Sequence, residues 1–346
     1  MLIKDIAVSL PSRTVTNEEV VDLIRFHSKE YEGDLDKALR TINILLKKSG
    51  LIHRHWCADH EVPIDHVAMA TRQALSETYL RPDQIELFIF VGIGRGFLEP
   101  GNSYMMASAL GFRNAECFDV IDACMSWTRA MSLVDSLFKA GKYKNAMIVN
   151  AEFNMFHGGP LYPNNFALKN QAQIEYTFPS FTIGEAATAT LLLAKEPDNF
   201  NFFFHAKPET ADLCTIPTHG YEGFCHPSDK IGRNGEFRFT SYGYDLHELL
   251  DQELPIELNK LPFPKKEIDI VFTHASSKAA WHRYGEKAGI ADKIFHIYQS
   301  TGNLVSASIP AALSLAKKSG RLKRDDKVLC WVGSAGMSFN ISSFKF

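Results

Sequence analysis

The stretch Asp122-Ala-Cys-Met-Ser-Trp-Thr-Arg-Ala-Met-Ser-Leu-Val-Asp-Ser-Leu-Phe138 follows a short apolar run and has the period of an amphipathic helix. Four apolar side chains fall on one helical face: Trp127, Met131, Val134 and Phe138. Cys124 is left in the first turn, where the helix dipole predicts a thiol pKa below its ordinary value of about 8.5 and a more available thiolate. The same position also suits a small buried core residue, which is the usual fate of cysteine.

A second stretch of the same construction lies in the C-terminal half, where Asn303 opens a helical pattern that ends at Gly320. The interval from Cys124 to Gly141 equals the interval from Asn303 to Gly320, with 17 residues in each case. Strand patterns flank both helices, at residues 85–91, 117–121 and 147–150 in the first half and at 268–272, 294–298 and 328–332 in the second. The repeat predicts an internal duplication of βαβ units with parallel strands.

Three polar side chains come just after predicted strands: Cys124, His274 and Asn303. Because ligands of such sheets gather at the carboxyl ends of the strands, we expect one pocket at the junction of the two halves. Each residue also has a simpler interpretation. His274 suits a surface or hydrogen-bonded core histidine, and Gly302-Asn303 suits a tight turn.

Composition narrows the class of protein. The chain has 346 residues, 45% of them hydrophobic and 22% charged, which favours two domains or two fused halves. A formal net charge of −3 and scattered basic residues argue against a nucleic-acid partner. No apolar run approaches the ~18–20 residues of a membrane helix. The six cysteines contain no CxxC pair, so we expect a reducing cytoplasm and no zinc ribbon or disulfide framework.

Further motifs occur in order along the chain: Lys48-Ser-Gly-Leu-Ile-His-Arg54, Asp-Ala-Cys124, Gly184-Glu-Ala-Ala-Thr-Ala-Thr190, Thr-His274-Ala, Gly-Asn303-x-x-Ser-Ala-Ser-Ile-Pro, Gly-Ser-Ala-Gly336 and Ser-Phe-Lys-Phe346. Together they resemble ketoacyl-acyl carrier protein synthase III and its relatives in the thiolase superfamily, over nearly the whole chain. The resemblance implies an α/β thiolase-like fold, with two duplicated mixed-sheet βαβ halves in a layered αβαβα arrangement. The first half is residues 1–183, with a pocket-covering insertion at 152–183, and the second half is residues 184–346.

The resemblance also implies a Cys-His-Asn condensing site. Cys124 would take an acyl group from an acyl-CoA or acyl carrier protein thioester. His274 and Asn303 would hold the carbonyl oxygen of a malonyl- or 3-oxoacyl-type extender during its condensation. Backbone N–H groups of Cys124 and Gly336 would form the oxyanion hole.

Further expectations follow from the same resemblance. Lys48 and Lys278 are expected to bind the thioester carrier, and neither a metal nor another cofactor is expected. Related enzymes pair across a two-fold axis, so we expect a homodimer with the strand at 117–121 near the interface.

Several positions depart from the family pattern. The usual His-Gln-Ala-Asn is His274-Ala-Ser-Ser277, the usual triple glycine is Ser334-Ala-Gly336, and Ile44 stands where chain-initiating members have an adenine-stacking tryptophan. These changes favour an acyltransferase of specialised lipid, fatty acid or secondary-metabolite biosynthesis.

Three functions stay open: a decarboxylative condensing enzyme, an acyltransferase that passes the acyl group to an alcohol or amine, and a partner subunit that supports another chain. Asn303 favours the first, because simple acyl transfer has no malonyl carboxylate to lose.

Overall fold

Two mixed β-sheets form the framework of the protein, which is seen in a computed structural model that describes residues 1–195 and 200–346. The strands are β1 (Leu2–Ser9), β2 (Arg13–Thr16), β3 (His53–Trp56), β4 (Leu87–Val91), β5 (Glu116–Val120), β6 (Asn145–Glu152), β7 (Ala186–Leu193), β8 (Asn201–Ala206), β9 (Cys214–Thr215), β10 (Thr240–Ser241), β11 (Ile270–Thr273), β12 (Lys327–Ser334) and β13 (Ser338–Lys345). The helices are α1 (Asn17–His27), α2 (Leu35–Ser49), α3 (Pro63–Ser76), α4 (Asn102–Leu110), α5 (Ser126–Lys139), α6 (Ile174–Thr177), α7 (Gly243–Glu257), α8 (Lys278–Ala288), α9 (Tyr298–Thr301) and α10 (Ser308–Lys318).

The sheets and helices alternate in five layers. The first sheet has the order β1-β7-β6-β4-β5 and the second has the order β11-β12-β13-β8. β4 runs parallel to β5 and β6, and β11 runs parallel to β12, whereas the other pairs in these two sheets are antiparallel. Helices α5 and α10 lie between the sheets, α3 covers the outer face of the first sheet, and α7 and α8 cover the outer face of the second. This arrangement confirms the predicted layered αβαβα fold.

Helix α5 shows why the sequence specifies the central layer. All four side chains of its predicted apolar face are buried in the core between the sheets: Trp127, Met131, Val134 and Phe138. The indole N–H of Trp127 donates to Thr190 Oγ1 of β7 at 3.0 Å, so its polar atom is also satisfied. Burying each such side chain contributes about 1.5–3 kcal/mol. This packing fixes the helix whose N-terminal end carries Cys124.

One predicted strand is wrong. Residues 294–298 do not form a strand, because Ile294 makes only a single bridge to Val271 and the chain then turns into α9 at Tyr298. Tyr298 is fully buried and its hydroxyl lies 3.0 Å from Ser49 Oγ on α2, a tertiary contact that the apolar pattern does not reveal. The predicted strand at 117–121 is confirmed as β5.

The strand β7 lies beyond residue 184 but pairs between β1 and β6, so the first sheet extends to Leu193. The division of the chain at 183/184 stays a prediction. Among the helices of the described residues, none is long and apolar enough to cross a membrane.

Candidate active site

A cavity of about 510 Å³ brings the three predicted site residues together. Cys124, His274 and Asn303 all contribute to its wall, although they lie far apart in sequence. The rest of the wall is mostly apolar and comes from the predicted insertion, from α7 and from the turns around the site: Ile93, Leu161, Ile174, Phe178, Phe239, Leu246, Leu250, Val305 and Met337. Residues of the segment 152–183 thus line the cavity, and its role as a pocket-covering insertion stays a prediction.

Cys124 lies in a sharp 3-10 turn, Ala123–Met125, directly before α5. Ala123 has φ of 44°, in the left-handed region that costs a non-glycine residue of order 1 kcal/mol or more. The turn is held by the Met125 N–H, which donates to Asp122 O at 2.8 Å and to Ser334 Oγ at 3.2 Å. Because Ser334 ends β12, this contact connects the thiol's turn to the second sheet.

The thiol of Cys124 does not have the depressed pKa that its helical position predicted. Burial in the cavity raises the pKa well above its ordinary value, and the neighbouring Cys214 and Glu152 raise it further. A hydrogen bond with Ser334 acts in the opposite direction but is smaller. Desolvation outweighs the helix dipole here, so the free protein holds a thiol rather than a thiolate at neutral pH.

His274 follows β11 and is nearly fully buried, with 5% of its surface exposed. Its backbone N–H donates to Trp331 O on β12 at 3.2 Å, while its side-chain Nδ1 has no hydrogen-bond partner among residues 1–195 and 200–346. Burial lowers the pKa of the imidazole to about 3, and His247 lowers it further, against a hydrogen bond with the Val305 backbone. His274 is therefore neutral at physiological pH.

Asn303 is positioned by both halves of the protein. Its Oδ1 accepts the Val305 N–H at 2.9 Å, which leaves the amide NH₂ group as the donor available to the cavity. Its backbone N–H donates to Thr182 O at 2.9 Å, and its carbonyl accepts the Gly184 N–H at 3.0 Å. Val305 itself has φ of 51°, which is strained for a β-branched residue.

Glu152 connects the end of β6 to the turn of Asn303 and is fully buried. Its carboxylate accepts the backbone N–H of Gly94 at 3.1 Å, and it also accepts both the hydroxyl and the backbone N–H of Ser306. Burial raises the pKa of Glu152 above its ordinary value, and these hydrogen bonds oppose that shift. No sequence motif predicts this contact, because it joins residues 154 positions apart.

His247 is a cavity residue that the sequence analysis missed. Its Nδ1 lies 2.8 Å from the Tyr284 hydroxyl, which itself donates to the His247 carbonyl at 3.0 Å. The hydroxyl therefore accepts from Nδ1–H, which leaves Nε2 unprotonated. Burial lowers the pKa of His247 to about 4.

Cys214 was also missed as a cavity residue, and burial raises the pKa of its thiol to about 11.

Of the other predicted site residues, only Lys48 lies in the cavity wall of the described chain, whereas Lys278 and Gly336 do not. Lys48 lies in its wall, whereas Lys278 Nζ donates to Gln299 Oε1 at 2.6 Å and is not among the wall residues of the described chain. Gly336 has φ of 98° in the turn between β12 and β13, next to Ala335, which does line the cavity. Thioester binding by the lysines and an oxyanion hole at Gly336 stay predictions.

Comparisons with known proteins agree with this architecture. Residues 258–346 match the family 3-Oxoacyl-[acyl-carrier-protein (ACP)] synthase III C terminal. A cysteine-to-serine variant of OleA from Xanthomonas campestris, solved with bound lauric acid and lauroyl-CoA, superimposes with a TM-score of 0.82 at 19% identity, covering 99% of this chain and 98% of that chain. Cerulenin-bound OleA gives a TM-score of 0.80 at 20% identity, covering 99% and 96% of the two chains. The protein thus has the thiolase-like fold of OleA over nearly its whole length, and residues 258–346 are similar to the C-terminal part of 3-oxoacyl-[acyl-carrier-protein] synthase III.

Proposed function

We propose that the protein is an acyltransferase that loads an acyl group on Cys124 and condenses it with a malonyl- or 3-oxoacyl-type thioester. The observation that carries this proposal is the single, mostly apolar cavity whose wall contains Cys124, His274 and Asn303. A nucleophile and two neutral hydrogen-bonding side chains in one mostly apolar cavity supply what a covalent condensation needs.

In the loading step, the sulfur of Cys124 attacks the carbonyl carbon of an acyl thioester. The new C–S bond forms as the carrier sulfur leaves, and the thiol proton of Cys124 passes to that leaving sulfur. Because the thiol pKa is raised, this proton must move during the reaction rather than before it. Backbone N–H groups of Cys124 and Gly336 would stabilise the oxyanion.

In the condensing step, a malonyl thioester loses its carboxylate as carbon dioxide and leaves an enolate. The amide NH₂ of Asn303 and an N–H of neutral His274 would donate to the enolate oxygen. The enolate carbon then attacks the acyl carbonyl, the C–S bond to Cys124 breaks, and the released sulfur takes up a proton from solvent. Asn303 suits this role because Val305 already occupies its oxygen and fixes the amide.

The apolar wall favours a fatty acyl group as the first substrate. OleA has been solved with lauric acid and lauroyl-CoA, which supports the same class of ligand for this cavity. The carrier would be coenzyme A or an acyl carrier protein, and Lys48 in the cavity wall offers a positive charge for either. We assign the enzyme to lipid or secondary-metabolite biosynthesis in the cytoplasm.

A homodimer through β5 is part of the proposal. β5 is the outer strand of the first sheet, and exposed apolar side chains accompany it: Phe97, Leu98, Tyr104, Met105 and Ile121. The Asp119 carboxylate of β5 accepts the first two N–H groups of α4, so these residues share one edge. Pairing two such edges would cover them. Sedimentation that shows only monomer at micromolar concentration would contradict this assembly.

The proposed activity is tested by two measurements on the same sample. Intact mass after incubation with acyl thioesters should show one acyl group, located on Cys124 by peptide mapping. Release of labelled carbon dioxide from a malonyl thioester should accompany turnover. Cys124→Ala should lose the adduct, whereas Cys117→Ala, at a half-buried cysteine on β5, should keep it. If the wild type acylates but decarboxylates no malonyl donor and acylates an alcohol or amine instead, the simpler acyltransferase replaces this proposal.

A further inference from the structure

A second group of reactive side chains lies outside the catalytic cavity, beside the first sheet. The Cys57 sulfur, a Glu61 carboxylate oxygen and a ring nitrogen of His66 all lie within 4.8 Å of one another. Cys57 directly follows β3, His66 belongs to the first turns of α3, and Glu61 lies in the loop between them. The cluster is thus formed by one short segment, Cys57-x₃-Glu61-x₄-His66.

The ring of His66 is held with one edge toward the cluster. Its Nδ1 lies 2.9 Å from Ser9 Oγ on β1, and its face stacks on Phe153 with ring centroids 5.5 Å apart. Its Nε2 is 3.6 Å from Glu61 Oε1, which is longer than a hydrogen bond. The Ser9 hydroxyl thus orients the ring so that Nε2 faces Glu61, in the way that a hydrogen bond to one ring nitrogen orients the other nitrogen of a metal-binding histidine.

The other two side chains are also fixed before any ion binds. The Glu61 carboxylate accepts the backbone N–H of Ala58 at 2.8 Å and of Ser12 at 3.1 Å, which holds it in place. The backbone N–H of Cys57 donates to Glu185 Oε2 at 2.8 Å, and the Cys57 thiol also donates a hydrogen bond to the Glu185 carboxylate, which an ion would replace. The Glu61 side chain is 15% exposed, so a small ion can reach the cluster from solvent.

We propose that Cys57, Glu61 and His66 bind a Zn²⁺ ion, with water as the fourth ligand. Sulfur, imidazole nitrogen and carboxylate oxygen form a donor set that zinc accepts. In a tetrahedral zinc site the ligand atoms are roughly 3.3–3.8 Å apart, so the three side chains need to close by about 1 Å. Binding exchanges the thiol proton of Cys57 for the metal, and that proton is released to solvent.

The position of the site gives the ion a structural role. Glu185, which accepts from Cys57, follows Gly184, whose N–H donates to the Asn303 carbonyl. An ion at Cys57 therefore stabilises the segment that lies behind Asn303. The site does not depend on the proposed activity, and its test does not require turnover.

The test is a Co²⁺ titration of metal-free protein without an affinity tag. The wild type should bind one equivalent and develop a sulfur-to-cobalt charge-transfer band in the near ultraviolet. Cys57→Ser should lose the band, and His66→Gln should weaken binding about tenfold or more. Cys225→Ser is the matched control, since it removes an exposed thiol and should leave the band unchanged.

Zn²⁺ should also raise the melting temperature of the wild type and of Cys225→Ser, but not that of Cys57→Ser. Circular dichroism of each metal-free variant establishes that it is folded before the titration is interpreted, and His66→Gln serves if Cys57→Ser does not fold. A wild type without a charge-transfer band, or a band that survives in Cys57→Ser, would overturn the proposal. Acylation of Cys124 would be unaffected by either result.

Discussion

The turn that carries Cys124 and the turn that carries Asn303 are built alike. Each contains a 3-10 turn ahead of a central-layer helix, and each contains one non-glycine residue with positive φ, Ala123 at 44° and Val305 at 51°. The helices end in the same way, at Gly141 and Gly320, with φ of 70° and 72°. The two turns therefore have similar backbone geometry, although the interval from Ala123 to Gly141 is 18 residues (141 − 123) and that from Val305 to Gly320 is 15 (320 − 305).

The two turns differ in what supports them. The Cys124 turn follows β5, a full strand of the first sheet, whereas the chain before Asn303 makes only the single bridge at Ile294. Asn303 is instead held by Thr182 and Gly184, on either side of the predicted 183/184 boundary, and its turn is held by the Glu152 contact with Ser306. The comparison teaches that the nucleophile's turn follows a strand of its own sheet and has one added hydrogen bond to Ser334 of the second sheet, whereas the amide's turn depends mainly on hydrogen bonds to other segments.

The largest expected effect comes from breaking the close contact between Gly184 and the segment that leads into Asn303. A Cβ at Gly184 would lie 1.9 Å from the Thr301 carbonyl oxygen, a backbone atom that cannot move aside. Gly184→Ala should therefore cost about 4 kcal/mol or more of unfolding free energy. Urea unfolding measures the cost, and Gly223→Ala, where a Cβ meets nothing within 4 Å, is the control. Equal stabilities of the two variants would refute this account of the contact.

A slightly smaller effect distinguishes the role of the Cys124 turn in acylation from the role of the Asn303 turn in decarboxylation. Asn303→Ala removes one fixed donor to the enolate, so decarboxylation should fall roughly 10²–10³-fold, or about 3–4 kcal/mol. Acylation of Cys124 should continue, because the loading step does not use this amide. Intact mass and labelled carbon dioxide release, on wild type and variant, measure both steps. Parallel loss of acylation would mean that Asn303 supports the nucleophile's turn instead.

Acid should affect the second half before the first. His247 and His274 have pKa values of about 4 and about 3 in the folded protein, below the ordinary value of about 6.5. The unfolded chain therefore binds more protons below pH ~6.5, so stability falls as the pH decreases from there toward ~3. At pH 5 the loss should be about 2 kcal/mol for each histidine.

Urea unfolding at pH 7 and pH 5 measures this loss, and hydrogen exchange should show α7 and α8 opening first. His247→Gln should flatten the pH dependence, whereas the exposed His282→Gln should not. An unchanged slope in His247→Gln would argue against a buried neutral His247.

The smallest expected effect compares the free energy that each half loses when the glycine at its helix end is replaced. Gly141 and Gly320 both have positive φ and open space where a Cβ would lie. Alanine at either position should cost about 1 kcal/mol, because only the backbone conformation is penalised. Unfolding of the two variants in urea should give matching losses. A clear difference between the two losses of unfolding free energy would show that one helix end makes stabilising contacts that the backbone geometry does not reveal.

The features that were predictable from sequence are those set by local periodicity or by recognisable motifs. The apolar face of α5 and the glycine stop at Gly141 follow from the helical period, and the motifs placed Cys124, His274 and Asn303 in one pocket. The apolar pattern at 294–298 predicts a strand. In the structure Tyr298 instead begins α9 and its hydroxyl contacts Ser49. Apolar periodicity cannot distinguish those two outcomes.

The electrostatics of the site could not be predicted in the same way. The direction of the Cys124 pKa shift is decided by burial, and the cavity around the thiol is lined by residues of the segment 152–183 and of α7, which are distant in sequence. The position of the His247 ring is set by its contact with Tyr284, which lies 37 residues away on the next helix. No sequence pattern predicts that contact. Both depend on tertiary packing between distant parts of the chain.

The cavity of about 510 Å³ also has a mechanical consequence for the protein. Its apolar wall continues the packing between the sheets, so an acyl chain on Cys124 would complete the hydrophobic core as if it were another side chain. By thermodynamic linkage, whatever fills this space preferentially in the folded state raises the melting temperature. The acylated enzyme should then be more densely packed and have a higher melting temperature than the free enzyme. Each turnover would remove and replace part of the protein interior.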